Sequence, residues 1–230
     1  MINPAPQTMT QEPLARLSDY RTSLGDSYFL VYRRLFADLE KCAARAHGAL
    51  LDIGCGNKPY ERMFAGKISS YTGCDVVQSS ERKVDIICPA ISVPVADASF
   101  DTVLCTQVIE HVADHQALLR EAYRLLRSGG VLILSGPMYW HLHEEPYDFF
   151  RFTEYGLRHL FEKTGFDAIE ITANGGKWAL CGQVLIHCIT GTWLEQRLLI
   201  KLTNRFFSHL DDRYPDTKNT LNYVVLARKP

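Results

Sequence analysis

Hydrophobic positions along the chain follow two spacings, one typical of short buried strands and the other typical of helices. Apolar runs predict seven strands, at 49–53, 68–75, 84–87, 102–105, 131–134, 168–172 and 221–227. Helical spacing predicts helices at 27–46, 116–127 and 155–164, the second capped by Gly129-Gly130 and the third by Gly165. Strands that alternate with helices indicate an α/β fold, a doubly wound and mostly parallel sheet with helices on both faces.

The pattern also predicts how the chain is organised. Residues 1–25 carry three prolines and no clear period, which indicates a loose N-terminal arm. The remainder, 26–230, is long enough for one α/β domain with a full core. Within it, 137–153 is an aromatic and charged stretch that we call the substrate loop, and 175–220 is a helical insertion before the last strand.

The composition argues against several classes of protein. The net charge of -1 lacks the basic excess of a dedicated nucleic-acid binder, so no nucleic-acid partner is expected. No secretory signal and no run of about 18 apolar residues is evident, which favours a cytoplasmic location. The seven cysteines form no C-x-x-C pair, and His143-Glu144 lacks the second histidine of H-E-x-x-H because Tyr147 stands there. No metal site is therefore predicted.

The first predicted strand leads into a glycine-rich turn, Asp52-Ile53-Gly54-Cys55-Gly56. Glycines at these positions let a ligand approach the backbone closely. Asp75 ends the second strand nineteen positions after Gly56, close to the ~20-residue spacing at which a carboxylate reaches ribose hydroxyls. Pro59 stands where a dinucleotide fingerprint has its third small residue, so a pyrophosphate cradle is not predicted.

Four segments between about residues 48 and 136 resemble the class I methyltransferases of the type 11 group. They are Asp52-x-Gly54-x-Gly56, Gly73-Cys74-Asp75-Val76, Ser99-Phe100-Asp101-Thr102-Val103 and Gln107-Val108-Ile109-Glu110-His111-Val112. The resemblance implies a Rossmann-like methyltransferase fold whose last strand is antiparallel. It also implies S-adenosylmethionine as the cofactor and methyl transfer as the activity.

The same resemblance implies a set of cofactor-binding residues at the strand ends. The set comprises Asp52, Gly54, Cys55 and Gly56 at the amino-acid end, Asp75 and Val76 at the ribose, Ala90 and Ile91 at the adenine, Thr106 and Gln107 closing the pocket, and His111 beyond them. For His111, a purely structural hydrogen bond is an equal alternative. Pro89 stands where the family often has an acid that binds the adenine amino group, so adenine recognition would rest on the backbone.

The substrate loop supplies candidates for a general base. A histidine is well matched to deprotonating a hydroxyl near neutral pH, which favours His143, with Asp148 orienting it or acting alone and His141 as the third candidate. The alternative is a loop network in which Arg151 pairs with Asp148 or Glu145. The run from 143 to 157 resembles a subgroup associated with bacterial glycan and polysaccharide assembly, which implies O-methylation of a sugar or glycolipid-like acceptor.

The insertion carries apolar residues at every fourth position beside a cationic row. The apolar residues are Leu194, Leu198, Leu202, Phe206 and Leu210, and the cations are Arg197, Lys201 and Arg205. Such a helix is typical of a membrane surface, which would place the protein at the inner face of the membrane. A helix that covers the active site or contacts a second subunit shows the same stripe and is the favoured interpretation.

Two other functions remain open from the sequence. One is a catalytically silent, methyltransferase-like binding or scaffold protein, against which the intact Gly54, Gly56 and Asp75 argue. The other is a nicotinamide-dependent oxidoreductase, against which Pro59 argues.

Overall fold

The computed structural model describes residues 17–193 and 196–230. Its seven strands are β1 Ala49–Ile53, β2 Ser70–Asp75, β3 Ile86–Ile87, β4 Phe100–Thr106, β5 Leu126–Pro137, β6 Asp167–Asn174 and β7 Asn222–Arg228. They form one sheet in the order β3-β2-β1-β4-β5-β7-β6. β1 to β5 pair with one another in parallel, and β7 is antiparallel to both β5 and β6. The predicted doubly wound, mostly parallel sheet with an antiparallel last strand is confirmed.

Six α-helices cover this sheet: α1 Phe29–Ala43, α2 Glu61–Phe64, α3 His115–Leu125, α4 Glu154–Thr164, α5 Lys177–Ile189 and α6 Arg197–Arg213. A 3₁₀ turn, Ile109–His111, follows β4. α4 begins where the Thr153 side chain accepts a hydrogen bond from the amide of Gly156, and it ends at Gly165 with φ of 104°, as the sequence predicts. Within the described residues, no helix is both long and apolar enough to cross a bilayer.

The predicted glycine cap of the helix at 116–127 is wrong. α3 ends at Leu125, and the next residue, Leu126, is already extended and pairs with Phe100 of β4. Gly129, with φ of 82°, lies in the irregular first part of β5, before the regular pairing of Val131 with Thr102 resumes. Sheet pairing therefore ends this helix before the glycines are reached.

Apolar side chains of the central strands alternate between two hydrophobic layers, one on each face of the sheet. Leu51, Ile53 and Val103 belong to one layer, and Leu50 and Leu104 belong to the other. All five are fully buried. Because both faces are covered, a ligand can reach the sheet only at its edges, and the strand order reverses between β1 and β4. The crevice at the carboxyl ends of these two strands is where open α/β sheets bind ligands.

The N-terminal and inserted segments pack against this core. Of the predicted arm, residues 1–16 lie outside the described residues, and Leu17 and Tyr20 contact the layer around α1. The insertion forms α5 and α6, and the residues of α6 that are buried are mostly polar: Ile200, Thr203, Asn204, Ser208 and Asp211.

Hydrogen bonds fix the position of α6, together with the packing of Phe207 against α5. The Asp211 carboxylate accepts bonds from the amides of Gly176 (2.9 Å) and Ala179 (3.3 Å) at the start of α5. It also forms an ion pair with Arg34 of α1 at 3.2 Å. The Asn204 side chain donates to the carbonyl oxygens of residues 24 and 26, at 2.9 Å each. One buried carboxylate therefore ties three helices together.

Asp211→Ala should destabilise the protein by about 2–4 kcal/mol, because it leaves buried amides and a cation without their acceptor. The matched control is Asp212→Ala, which removes the neighbouring half-exposed carboxylate from its pairs with Arg33 and Arg34 and should cost below about 1 kcal/mol. Chemical denaturation measures both changes. Equal losses for the two variants would contradict a tethering role for Asp211.

Candidate functional site

A tight turn forms the floor of the crevice at the end of β1. Gly54 and Gly56 have φ of 73° and 49°, the left-handed region that favours glycine. A Cβ atom at Gly54 would lie 2.3 Å from Cγ2 of Val108, which follows β4. The amides of Gly54 and Cys55 both donate to the carbonyl oxygen of Cys74, at 2.8 and 3.0 Å. The turn is therefore held against the end of β2 and leaves no room for a side chain at Gly54.

Asp75 fixes the other side of this turn. One carboxylate oxygen, Oδ2, accepts the amide of Gly56 at 3.1 Å, and Oδ1 accepts the amide of Val76 at 2.7 Å. The side chain is buried, while Val76 is exposed. Each carboxylate oxygen can accept a further bond. This geometry suits a carboxylate that accepts a pair of ligand hydroxyls, as the sequence predicts for a ribose.

Asp52 lies under the turn, almost fully buried. The Tyr71 hydroxyl donates to its Oδ2 at 2.7 Å, and Oδ1 has no hydrogen-bond partner among the described residues. Burial raises the pKa of Asp52 to about 7. Its neighbour Cys55 is buried as well, and burial raises the pKa of that thiol far above its ordinary value, so it stays protonated. Asp52 is thus a carboxyl group that a cationic ligand group would ionise.

The remaining predicted cofactor residues line the same edge of the sheet. Thr106 ends β4 and is buried, and Gln107 has φ of 54°. The Gln107 amide and side chain both bond to Ser135, at 3.1 and 3.0 Å, which fixes it beside β5. Ala90 packs on the hydrophobic layer, and the next residue, Ile91, is exposed beyond β3.

The substrate loop is organised by Asp148. Arg151 donates to both of its carboxylate oxygens, at 2.6 and 2.7 Å, and these bonds hold the pKa of Asp148 far below its ordinary value. The same carboxylate accepts the amide of His143 at 3.1 Å and lies 3.2 Å from His143 Nδ1. The contact between Asp148 and His143 that an orienting role needs is therefore present, and so is the alternative pairing of Asp148 with Arg151. A carboxylate with so low a pKa is a poor general base by itself.

The structure places His111 beside the substrate loop. Its ring meets the ring of His143 edge to face, with centroids 4.7 Å apart, and its Nδ1 lies 2.9 Å from the carbonyl oxygen of Tyr147. The preceding residue, Glu110, is fully buried, and burial raises its pKa to about 8. Sequence reasoning missed Glu110. The only feature of the sequence that could have indicated Glu110 is its charge, next to apolar residues in the turn after β4.

A second group of rings lies beside these histidines. His187 of α5 contacts His141 and Trp140, with centroids 4.4 and 4.9 Å apart, and Tyr28 contacts Trp140 at 5.7 Å. Burial lowers the pKa of both His141 and His187, so both imidazoles are neutral at neutral pH. Sequence reasoning missed His187, because nothing in the spacing of the insertion indicates where α5 packs.

Comparison with known proteins agrees with this geometry. Residues 51–134 match the family model described as a methyltransferase domain. A probable S-adenosylmethionine-dependent methyltransferase of Mycolicibacterium smegmatis is 32% identical over 47% of this chain and 43% of its own length. The ubiquinone biosynthesis O-methyltransferase of Idiomarina loihiensis is 32% identical over 37% of the chain and 41% of its own length. The chain thus spans less than half the length of these curated relatives.

Solved structures share the whole fold. The crystal structure of the [4+2]-cyclase SpnF superposes with a TM-score of 0.60 at 18% identity, covering 95% of this chain and 89% of its own. The fold is therefore the Rossmann-like methyltransferase fold. Residues 51–134 are thus similar to methyltransferase domains, and the first of these relatives carries the name of a probable S-adenosylmethionine-dependent methyltransferase.

Asp52→Asn should change how stability depends on pH. The folded-state pKa of Asp52 is about 7 against 3.8 for the free group, so its contribution to stability is complete below about pH 4 and is lost as pH rises through 7. The asparagine variant does not lose this contribution. Between about pH 4 and pH 7 its stability should therefore rise relative to that of wild type, by at most ~1.4 kcal/mol per unit of pKa shift. Chemical denaturation across this range, without cofactor, measures the difference. A difference that does not vary with pH would contradict the raised pKa.

Proposed function

We propose that this protein is an S-adenosylmethionine-dependent methyltransferase. The observation that carries the proposal is the junction of Asp75 with the Gly54–Gly56 turn at the point where strand order reverses. The turn leaves backbone open to a ligand, and the carboxylate beside it can accept two hydroxyls. Pro59 leaves no third small residue for a pyrophosphate, which disfavours a nicotinamide cofactor.

The residues around this junction suit the parts of that cofactor. The ammonium of its amino-acid end would lie near Asp52, whose Oδ1 lacks a partner among the described residues. Its ribose would lie on Asp75, and its adenine beside Ala90 and Ile91. When bound, the cofactor supplies an activated methyl group on a sulfonium. Because the residues that would bind the cofactor are all present in this arrangement, we favour an active enzyme over a silent scaffold.

Asp75→Ala should weaken binding of S-adenosylhomocysteine by about tenfold or more, because hydrogen bonds to a charged acceptor are among the stronger ones. Isothermal titration calorimetry measures the affinity, and thermal unfolding checks that the variant is folded. The matched control is Asp97→Ala, which removes an exposed carboxylate before the opposite, amino end of β4 and should leave affinity unchanged. Unchanged affinity in a folded Asp75 variant would remove Asp75 from the site.

We further propose that the acceptor is a hydroxyl of a glycan or glycolipid-like molecule. The substrate loop and α5 present a wall of rings, Trp140, His141 and His187, which suits stacking on a sugar. Asp148 Oδ2 lies 3.2 Å from His143 Nδ1, and an imidazole of the substrate loop, His143 or His141, would take the proton of the hydroxyl. The resemblance of the run 143–157 to enzymes of glycan assembly supports the same class.

Helix α6 supports a lipid-linked acceptor. Its apolar side chains Leu198, Leu202 and Phe206 are 65%, 54% and 58% exposed, while its buried side is mostly polar. This arrangement reverses that of an ordinary surface helix. The cations Arg197, Lys201 and Arg205 are exposed next to these residues. Of the rest of the predicted stripe, Leu210 is half-buried and Leu194 lies outside the described residues.

We propose that this exposed face of α6, Leu198, Leu202 and Phe206 with the adjacent cations, rests on an anionic membrane surface. Apolar side chains would enter the interface while Arg197, Lys201 and Arg205 contact anionic head groups. In this structure the stripe faces outward and does not cover the crevice, which disfavours the lid. The enzyme would then work at the cytoplasmic face of the membrane, where a lipid-linked acceptor can reach the substrate loop.

Flotation with vesicles that contain phosphatidylglycerol tests this surface. Wild-type protein should float with them and remain behind with neutral phosphatidylcholine vesicles, since the cations contribute about 1 kcal/mol each near an anionic surface. Replacing Arg197, Lys201 and Arg205 by serine should abolish flotation.

The control variant replaces Arg62, Arg120 and Lys163 by serine, three exposed cations on α2, α3 and α4, and should float like wild type. Absence of flotation for wild-type protein would refute the membrane contact. If sedimentation then shows a dimer that Leu202→Lys dissociates, the face is a contact between two copies of the chain.

A further inference from the structure

A fully buried carboxylate beside the substrate loop is unsatisfied. Neither Oε1 nor Oε2 of Glu110 has a hydrogen-bond partner on another residue among the described residues. Burying such a group without a partner is costly, and buried polar atoms in native proteins are nearly always paired with protein, water or an ion. The carboxylate lies in the 3₁₀ turn after β4, on the same edge as the glycine turn. An occupant from outside the chain would satisfy it.

Two imidazoles beside this carboxylate have their ring nitrogens fixed in the same way. His111 Nδ1 lies 2.9 Å from the carbonyl oxygen of Tyr147, which can only accept, so the proton is on Nδ1. His143 Nδ1 lies 3.2 Å from the carbonyl oxygen of His141 and 3.2 Å from Asp148 Oδ2, again both acceptors. In the tautomer that these contacts favour, Nε2 of each ring is the nitrogen that carries the lone pair.

Such an arrangement is typical of histidines that bind metals. A ligating imidazole donates its other N–H to a carboxylate or a backbone carbonyl, which fixes the tautomer and the ring orientation. Asp148 serves His143 in this way, and the Tyr147 carbonyl serves His111. Arg151 holds Asp148 in place through its two hydrogen bonds. The outer groups that a metal site needs are thus already assembled.

The three side chains also converge. One ligand atom from each of Glu110, His111 and His143 can be chosen so that all lie within 4.8 Å of one another, and His111 Nε2 is 3.9 Å from Glu110 Oε1. A cation with bonds of ~2.1 Å in tetrahedral geometry needs separations of ~3.4 Å, which small side-chain rotations can provide. The amide of Phe149 donates to the carbonyl oxygen of Glu110 at 2.9 Å, so the loop and the turn are held together.

We propose that Glu110, His111 and His143 bind a divalent transition-metal ion. Two imidazoles and one carboxylate suit Zn²⁺, Fe²⁺, Co²⁺ or Ni²⁺, and three protein ligands leave coordination positions open. The positive charge of Arg151 is balanced by Asp148, so Arg151 does not oppose the binding of a cation at this place. The sequence does not indicate this site, since His143 is more than thirty positions from the other two ligands.

The role of the ion rests on the proposed function. An acceptor hydroxyl at an open position would be polarised and would lose its proton more readily. His143 would then hold the ion, and the base would be His141, whose ring lies 6.2 Å from that of His143. The acceptor oxygen would form a bond to the methyl carbon as the carbon–sulfur bond breaks. Sulfur would keep the electron pair of that bond, and His141 would hold the proton.

Metal binding can be tested without cofactor or acceptor. Chelator-treated, full-length protein is titrated with Zn²⁺ in a calorimeter and with Co²⁺ in a spectrophotometer, where nitrogen and oxygen ligands give visible absorption. We expect one ion per chain. His143→Ala and Glu110→Gln should each weaken binding at least tenfold, and His159→Ala, which removes an exposed imidazole of α4, should bind as wild type does.

Two results would refute the proposed metal site. One is that neither Zn²⁺ nor Co²⁺ shows saturable binding, and the other is that folded His143→Ala and Glu110→Gln variants still bind the ion as wild type does. If Glu110→Gln fails to fold, His111→Ala replaces it, because that side chain lies at the edge of the loop. S-adenosylhomocysteine affinity is measured separately on the same samples. Metal binding without cofactor binding would support the metal site and refute the proposed function. Cofactor binding without metal binding would support the proposed function and refute the metal site.

Discussion

The bond between the amide of Gly56 and the carboxylate of Asp75, 3.1 Å long, is the contact on which the crevice depends. It joins the ends of β1 and β2, and parallel pairing of β1 with both β2 and β4 brings the third strand end to the same edge. Position 54 suits only glycine, because its backbone is left-handed and Val108, which follows β4, leaves no space for a Cβ atom. The paired strand ends and the Asp75 carboxylate thus form the floor of the crevice, and this floor does not depend on a large side chain.

Carboxyl groups of two kinds surround this floor. Asp148 is fully paired with Arg151 and His143, and those bonds keep it ionised. Asp52 and Glu110 are buried with oxygens that lack partners, and burial raises the pKa of each, to about 7 and about 8. A folded protein tolerates the free-energy cost of such buried carboxyl groups where a bound ligand offsets that cost. In the proposed function Asp52 would lie at the cofactor end of the crevice, and Glu110 would lie at the acceptor end.

The sequence predicted most of the fold, because apolar periodicity reports strands that are buried on both faces. It also predicted Gly54, Gly56 and Asp75, since their spacing follows from strand length and turn geometry. The grouping of Glu110, His111 and His143 could not be predicted, because it depends on how the substrate loop folds back over β4. For α6, the period of four revealed the stripe, whereas its outward orientation depends on the buried contacts of Asp211 and Asn204, which pattern alone does not report.

Chemical-shift changes in amide NMR spectra during titration with S-adenosylhomocysteine test the central claim most directly. The proposal that the crevice binds this cofactor predicts saturable changes concentrated at Gly54, Gly56, Val76 and Gln107, the backbone positions around the turn. Smaller changes are expected at Ile91. No saturable change, or changes confined to α6 or to the amino ends of the strands, would contradict it.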